Sequence, residues 1–524
     1  RDATLRDAAT MSPFEQTQDM TVALKRIVLR YDDSQILNEM LQNADDAGSS
    51  EFKVLLSART FGTASLLSPA LADMQGAALY QFDDAQFRPD DYESIQRVGD
   101  GTKLGDPTKT GQFGLGFNSV YHVTDTPMFV SGRDFVVFDP HEAHLPDGLP
   151  GLCEDASSLS RACPDQLAPF QGIFGCDVDA GCWRTRSGQG TLFRLPLRTR
   201  EAAGRSRIKD GRGGAPSFEE VLRQIVDPFL YEGSGEGRET TLHRRLLFLR
   251  FVERIEVYVW PPGAEQMSLL ASATALPAAS PPDASSAARL REDRGAQLRH
   301  VKERVAEAPP PQQDEYGGPP GALRYFAAMR AADPDQVPRP LIPLLLQLER
   351  PGAAQLEEAW LVSQTFGDKE DVAYAAAPRQ RSEKLTLMPS GAAAALVARR
   401  HAPGAEWELA PRLAGRAYAT LPLPIPTGLP VHLNGRWEIA SDRNSLAPED
   451  ARPRHEWNLL LASRVCAAAY ARLLRELAAG AVFGGGGGGL RLGSAERGEV
   501  VHALLPAASA GPGQGFGAAA GGWL

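Results

Sequence analysis

Cysteine is scarce. Five in 524 residues cannot build a disulfide scaffold in a chain of this length, so a reducing, cytoplasmic setting is expected. Long apolar runs are missing as well. The most apolar stretch, near Leu421–Leu433, is broken by Pro422, Pro424, Pro426 and Pro430, and nothing approaches the ~20 apolar residues that cross a bilayer. No membrane insertion is expected. Positive charge is in deficit: 55 Lys+Arg against 65 Asp+Glu leave a net −10. That balance excludes the broad basic face needed to bind a phosphate backbone, so no nucleic-acid partner is expected. The chain starts at Arg1 without a signal-peptide layout, which reads as a piece of something longer. Internal repeats and G-x-S-x-G nucleophile motifs are absent.

Glycine (51) and proline (40) are plentiful, so linkers and low-complexity tracts are expected. Residues 12–200 alternate helix and strand patterns, 201–216 turn basic and Gly-rich, and a second folded region spans 217–480. Within it, 261–322 is a Pro/Ala-rich insert whose charged stretch Ala287–Glu307 suits a solvated helix. A last helix over Asn458–Leu477 would bury Leu459, Leu460, Val465, Ala469, Leu473 and Leu477. Six glycines (Gly484–Gly489) then open a Gly/Ala-rich tail, 481–524, expected to be disordered.

One segment carries chemistry. In Asp33–Gly48 the spacing predicts a helix with Asp33 or Ser34 as N-cap and Gly48 as a left-handed stop. At ~100° per residue, Glu39, Asn43 and Asp46 share a sector of about 60°, roughly opposite Leu37, Met40, Leu41 and Ala44. A solvated acidic face would look the same in isolation. The pieces that follow weaken that reading. They are a strand at Glu51–Leu56, a second apolar run, Ala77–Phe82, ending in Asp83-Asp84, the glycine run Gly111-Gln112-Phe113-Gly114-Leu115-Gly116-Phe117, and Thr191 heading an alternating strand. Glycines at the mouth of a helix can offer backbone N–H groups to phosphates. This run is neither a Walker A loop nor a dinucleotide fingerprint.

Together and in this order, the four pieces resemble the ATP site of the GHKL, or Bergerat, fold of gyrase, ninety-kilodalton heat-shock chaperones, histidine kinases and MutL. Closer still is the chaperone-type ATPase module repeated in sacsin. Leu41–Ala47 (LQNADDA), Asp106–His122 (DPTKTGQFGLGFNSVYH), Phe138-Asp139-Pro140-His141, Gly428–Gly435 and Ser441–Asn444 carry that resemblance. It implies an α/β fold: a GHKL two-layer sandwich followed by a second α/β domain. It also implies ATP and Mg²⁺ as cofactors, client proteins or other chaperones as partners, and at most a weak Mg-dependent ATPase. Glu39 would be the general base, Asn43 the Mg²⁺ ligand, and Asp46 a support on the same helix. Asp83 would accept the adenine amino group, backed by Thr191. Gly111, Gly114 and Gly116, followed by Phe117, would let the chain approach phosphate. Val98–Thr110 would be a mobile lid, with Lys103 or Lys109 reaching phosphate. Arg443 would complete the site from the following domain.

One departure stands out. The chaperone pattern Asp-x-Gly-x-Gly is here Asp83-Asp84-Ala85-Gln86-Phe87, which leaves open whether Asp83 or Asp84 meets adenine. The alternative reading is therefore a module that binds nucleotide without hydrolysis, or serves as a protein-interaction scaffold. A histidine kinase would need an upstream phosphoacceptor, and the first histidine is His122. Cys153, Cys163, Cys176 and Cys182 lack a C-x₂₋₄-C pair, and His141 with His144 lack a third ligand, so neither group is read as a metal site.

Overall fold

The computed structural model describes residues 19–29, 32–97, 116–209, 214–233, 238–278, 284–308, 328, 333–375, 388–439, 445–480, 490 and 492–506. The fold is α/β. Helices α1 (Met20–Val28) and α2 (Ile36–Ala47) precede a series of strands. These are β1 (Glu51–Ser57), β2 (Ala78–Asp83), β3 (Met128–Ser131), β4 (Asp134–Phe138), β5 (Gly151–Asp155), β6 (Cys176–Asp177), β7 (Cys182–Trp183) and β8 (Thr191–Pro196). Then follow β9 (Tyr231–Glu232), β10 (Glu239–Thr240), β11 (Arg254–Trp260), β12 (Ser268–Pro277), β13 (Leu341–Glu349), β14 (Leu356–Phe366) and β15 (Ser390–Arg400). Last are β16 (Glu408–Leu409), β17 (Arg416–Ala419), β18 (Leu421–Pro426) and β19 (His432–Gly435). All but the short ribbons β6–β7 and β9–β10 join one mixed sheet in the order β18-β17-β19-β15-β14-β13-β12-β11-β1-β2-β8-β3-β4-β5, with β16 on β15.

The strands before and after the expected linker 201–216 thus lie in one sheet. The join is a parallel pairing of β1 with β11, Glu51 opposite Arg254 through Ser57 opposite Trp260. Strand alternation sends Phe52, Val54, Ile255, Val257, Ala273, Leu344, Trp360 and Ala394 to one face, where they form a continuous core with Leu37, Leu41 and Ala44 of α2. The other face is covered at both ends. Phe82, Phe135 and Leu192 pack against Leu159, Leu167 and Phe170, and Leu361, Ala393 and Ala395 pack against Trp457, Leu461, Val465 and Leu473.

Three expectations change. Part of the span 261–322 is built into the fold: β12 pairs with β11 and β13, and helix Ala284–Glu307 buries Leu290, Arg294, Gln297, Leu298 and Val301. Its charges had suggested a solvated helix, but Arg294 donates to the carbonyls of Leu246 (2.6 Å) and Val252 (3.2 Å). Gln297 likewise bridges Thr365 and Ser390. The C-terminal helix begins at Arg452 and passes through a π turn, Leu461–Cys466. The inserted residue rotates the buried face, so Leu461 and Ala462 are buried while Leu459 and Leu460 are only half so. In the tail, Ser494–Leu504 forms a further helix with Val500 and Leu504 buried, and the Tyr470 hydroxyl donates to the Leu504 carbonyl. No helix among the described residues is long and apolar enough to cross a membrane.

Because Leu298 is buried, Leu298→Ala is expected to cost about 2–5 kcal/mol, read as a drop in the urea midpoint. A solvated helix would tolerate it within about 0.5 kcal/mol.

Candidate functional site

The site grows out of α2. Neither Asp33 nor Ser34 caps it: a 3-10 turn, Asp33–Gln35, leads into the helix and is itself capped by Asp32, whose carboxylate accepts the Ser34 N–H (2.9 Å), while Gln35 at the N-cap position of α2 makes no side-chain cap. Gly48 ends it at φ 86°. Ile36, Leu37, Met40, Leu41 and Ala44 are buried. So is Glu39, only 3% exposed although it lies on the polar face. Gly116 backs onto it: a Cβ there would overlap Glu39 Oε2, so any larger residue would have to push the carboxylate aside. Asn43, one turn on from Glu39, stays half-exposed. Asp46 turns away to Arg250, whose guanidinium grips its carboxylate. It supports the helix through that ion pair.

At the end of β2, the two aspartates separate into different jobs. Asp84 accepts from Ser49 Oγ (2.5 Å), Ser50 N (2.7 Å), Ser50 Oγ (2.6 Å) and Glu51 N (3.0 Å). Burial alone would raise its pKa, but these donors hold it below the usual carboxylate range. It fastens the α2–β1 turn. Asp83 is left to face the α2 side with Gln81, and it lies opposite Thr191 in the β2–β8 register. It is 6% exposed. Burial pushes its carboxyl up to about 7 against donors from Gln81 Nε2 (3.1 Å) and the Ala85 N–H (3.2 Å). Thr191 Oγ1 donates to the Ala85 carbonyl (2.9 Å) and lies 2.7 Å from Ser131 Oγ.

The chain that replaces the expected glycines is anchored. Phe87 N–H donates to Ser131 Oγ (2.9 Å), and its ring lies 4.9 Å from Phe129, 5.3 Å from Tyr92 and 6.1 Å from Phe193. Phe117 joins this aromatic floor through Phe193 (5.7 Å) and Phe138 (6.1 Å). The 3-10 turn Phe117–His122 is pinned from below by Arg198, which donates to the carbonyls of Tyr121, His122 (2.8 Å) and Thr124 (2.9 Å) and to Asp125 (2.8 Å).

Glu39 therefore meets Gly116, Asp83 meets Thr191, and Phe117 joins the two groups through Phe193. Lys103, Lys109, Gly111, Gly114, the lid Val98–Thr110 and Arg443 lie outside the described residues. Sequence reasoning missed Arg198, Arg250, Ser131 and Gln81. None of them stands out in the sequence; Arg198 itself sits among Arg194, Arg200, Arg205 and Arg207.

The discounted groups behave as loop and core residues. Asp139, fully buried, accepts from the N–H groups of Ala143, His144 and Leu145 and lies 2.9 Å from His144 Nδ1. His141 accepts the Arg207 N–H. All five cysteines are free thiols. Among the described residues, no group of three or more His, Cys, Asp or Glu could hold a metal ion.

A family model described as the sacsin domain matches residues 17–272, which contain every element of this site that the structure describes. Over 474 residues, 88% of the chain, the sequence is 28% identical to human Sacsin. The chain is a sacsin-like protein. It spans only 9% of the length of that relative.

Asp83 makes this sacsin-like chain's stability depend on pH in a way that can be read. Burial holds its folded pKa well above the ordinary aspartate range, so the folded state binds a proton that the unfolded chain has released. This group's contribution is full below about 4 and is lost as pH rises towards about 7. Asp83→Asn should flatten that loss and raise the melting temperature relative to wild type at pH 8 but not at pH 4. Gly116→Ala should displace Glu39, visible as new protease sensitivity around α2.

Proposed function

We propose that this chain is a chaperone-related ATP-binding module that hydrolyses ATP slowly with Mg²⁺. The observation that carries the reading is that two carboxylates are buried on the same side of the sheet: Glu39 against Gly116, and Asp83 opposite Thr191. A buried Asp next to a hydroxyl suits recognition of an exocyclic amino group, which donates to both. A buried Glu one helical turn from a half-exposed Asn suits hydrolysis: Glu39 orients a water and takes its proton, while Asn43 offers an amide oxygen to a hard cation. Since the described residues hold no cluster of metal ligands, Mg²⁺ would be carried mainly by phosphate oxygens. When bound, it neutralises charge on the transferring phosphoryl group. Gly116 and Phe117 would border the phosphates, and Lys109, Gly111, Gly114 and Arg443 are assigned here by motif alone. The free cysteines fit the cytoplasmic setting proposed with this reading.

One observation favours a non-hydrolysing module instead. The stretch Asp84–Phe87 is tied to Ser49, Ser50 and Ser131, where the chaperone pattern has two glycines. Calorimetry with Mg²⁺-ATP, followed by phosphate release, separates the two. We expect wild type to bind and turn over, Glu39→Ala to bind with turnover reduced at least ~100-fold, and Asp83→Asn to lose binding. Binding by wild type without phosphate release selects the non-hydrolysing module. No heat at millimolar nucleotide sinks the ATP reading and leaves a scaffold.

A further inference from the structure

A ten-residue stretch outside the site touches it at two points and the far half of the sheet at a third. It runs from His243 to Val252, from a 3-10 turn into the start of β11. At its C-terminal end, Asp45 of α2 is fully buried and accepts four N–H groups: those of the Arg250 (2.9 Å), Phe251 (2.7 Å) and Val252 (3.2 Å) backbone and Arg250 Nε (3.0 Å). Arg250 also holds Asp46. In the middle, Arg245 Nη1 donates to Asn38 Oδ1 (2.8 Å), the residue beside Glu39. Its other N–H groups are taken by the Phe229 (2.9 Å) and Pro228 (3.0 Å) carbonyls. At the N-terminal end, Glu358 on β14 is buried between Arg244 Nη2 (2.8 Å) and His243 Nε2 (2.9 Å), with Trp360 Nε1 also donating to it (2.9 Å). Arg294 binds the carbonyls of Leu246 and Val252, which keeps the stretch from flexing between these ends.

A guanidinium whose N–H groups are held by acceptors of fixed direction transmits displacement, because moving either end strands charge in a low-dielectric interior. Here three such groups sit in series on one short segment.

We propose that residues 243–252 are a rigid strut coupling α2 to β14, and that Arg245 and Arg250 are positioning residues for Glu39. The positioning role rests on the ATP reading above; the strut does not.

Amide hydrogen exchange on the intact chain without nucleotide tests the strut directly. Glu358→Gln keeps the shape at β14 but removes the charge that Arg244 and His243 hold. It should speed exchange at Glu39–Ala47 about ten-fold while leaving β3 and β4 unchanged. Unchanged exchange in α2 would overturn the strut. If Glu358→Gln raises exchange everywhere, Trp360→Phe, which deletes one donor to Glu358 and keeps the ring stack, makes the same test more gently. The positioning role is read from turnover. Arg250→Lys should lower kcat about ten-fold with KM for ATP within about two-fold, and Arg250→Ala should lower it further. Equal kcat in a folded Arg250→Ala protein overturns it. Absence of turnover in wild type removes the positioning role together with the ATP reading, while exchange still decides the strut.

Discussion

The parallel pairing of β1 with β11 is the constraint on which the rest of the molecule depends. β1 follows α2 directly, and β11 follows the stretch that carries Arg245 and Arg250. Fixing Glu51–Ser57 against Arg254–Trp260 therefore brings a site helix and its braces together from distant parts of the chain. Parallel partners cannot be joined by a tight turn, so the intervening chain must leave the sheet and return. Here it returns after building β2, β8 and β3–β5 on the other flank of β1. The pairing is extended at both ends by Glu253 N–H to the Ser50 carbonyl (2.9 Å) and Ala58 N–H to the Trp260 carbonyl (2.8 Å).

Around that join, buried charge is arranged with strict compensation. Asp45, Asp84, Asp139 and Glu358 are each surrounded by N–H or O–H donors, and Arg194, Arg198, Arg245 and Arg294 each by carbonyls or carboxylates. Such groups specify geometry, because an uncompensated buried charge is costly. Asp83 and Glu39 differ. Asp83 receives only two donors against strong desolvation, which keeps its carboxyl near neutrality in pKa. Glu39 is hemmed in by a glycine backbone. A carboxyl whose pKa is raised by burial is the kind that ligand and proton sites use, and here that carboxyl is Asp83.

The elements of the site were legible because each obeys a local rule. The 3.6-residue period placed Leu37, Leu41 and Ala44 on one side of α2, the αL stop fell on Gly48, and Thr191 headed an alternating strand. Elements set by distant partners were not. The charges of Ala284–Glu307 read as solvated, yet Arg294 is buried because Leu246 and Val252 offer it carbonyls. A π turn shifted the face of the C-terminal helix by one residue, which no periodic pattern announces. Asp83 and Asp84 are chemically identical neighbours, and strand alternation with the position of Ser49 and Ser50 alone divides their roles.

By itself, then, the sequence determined the local segments: spacing put Glu39 and Asn43 on one face of a helix and Thr191 at the head of a strand, while the resemblance singled out Asp83 and Thr191 as site residues. Only the tertiary structure decided which neighbouring carboxylates are committed to holding the fold. Asp45, Asp46 and Asp84 are taken up by Arg250, by backbone N–H groups and by serines far away in the chain. Hydrogen bonding between distant segments depends on how the sheet closes, and that closure is written in pairings no local pattern contains.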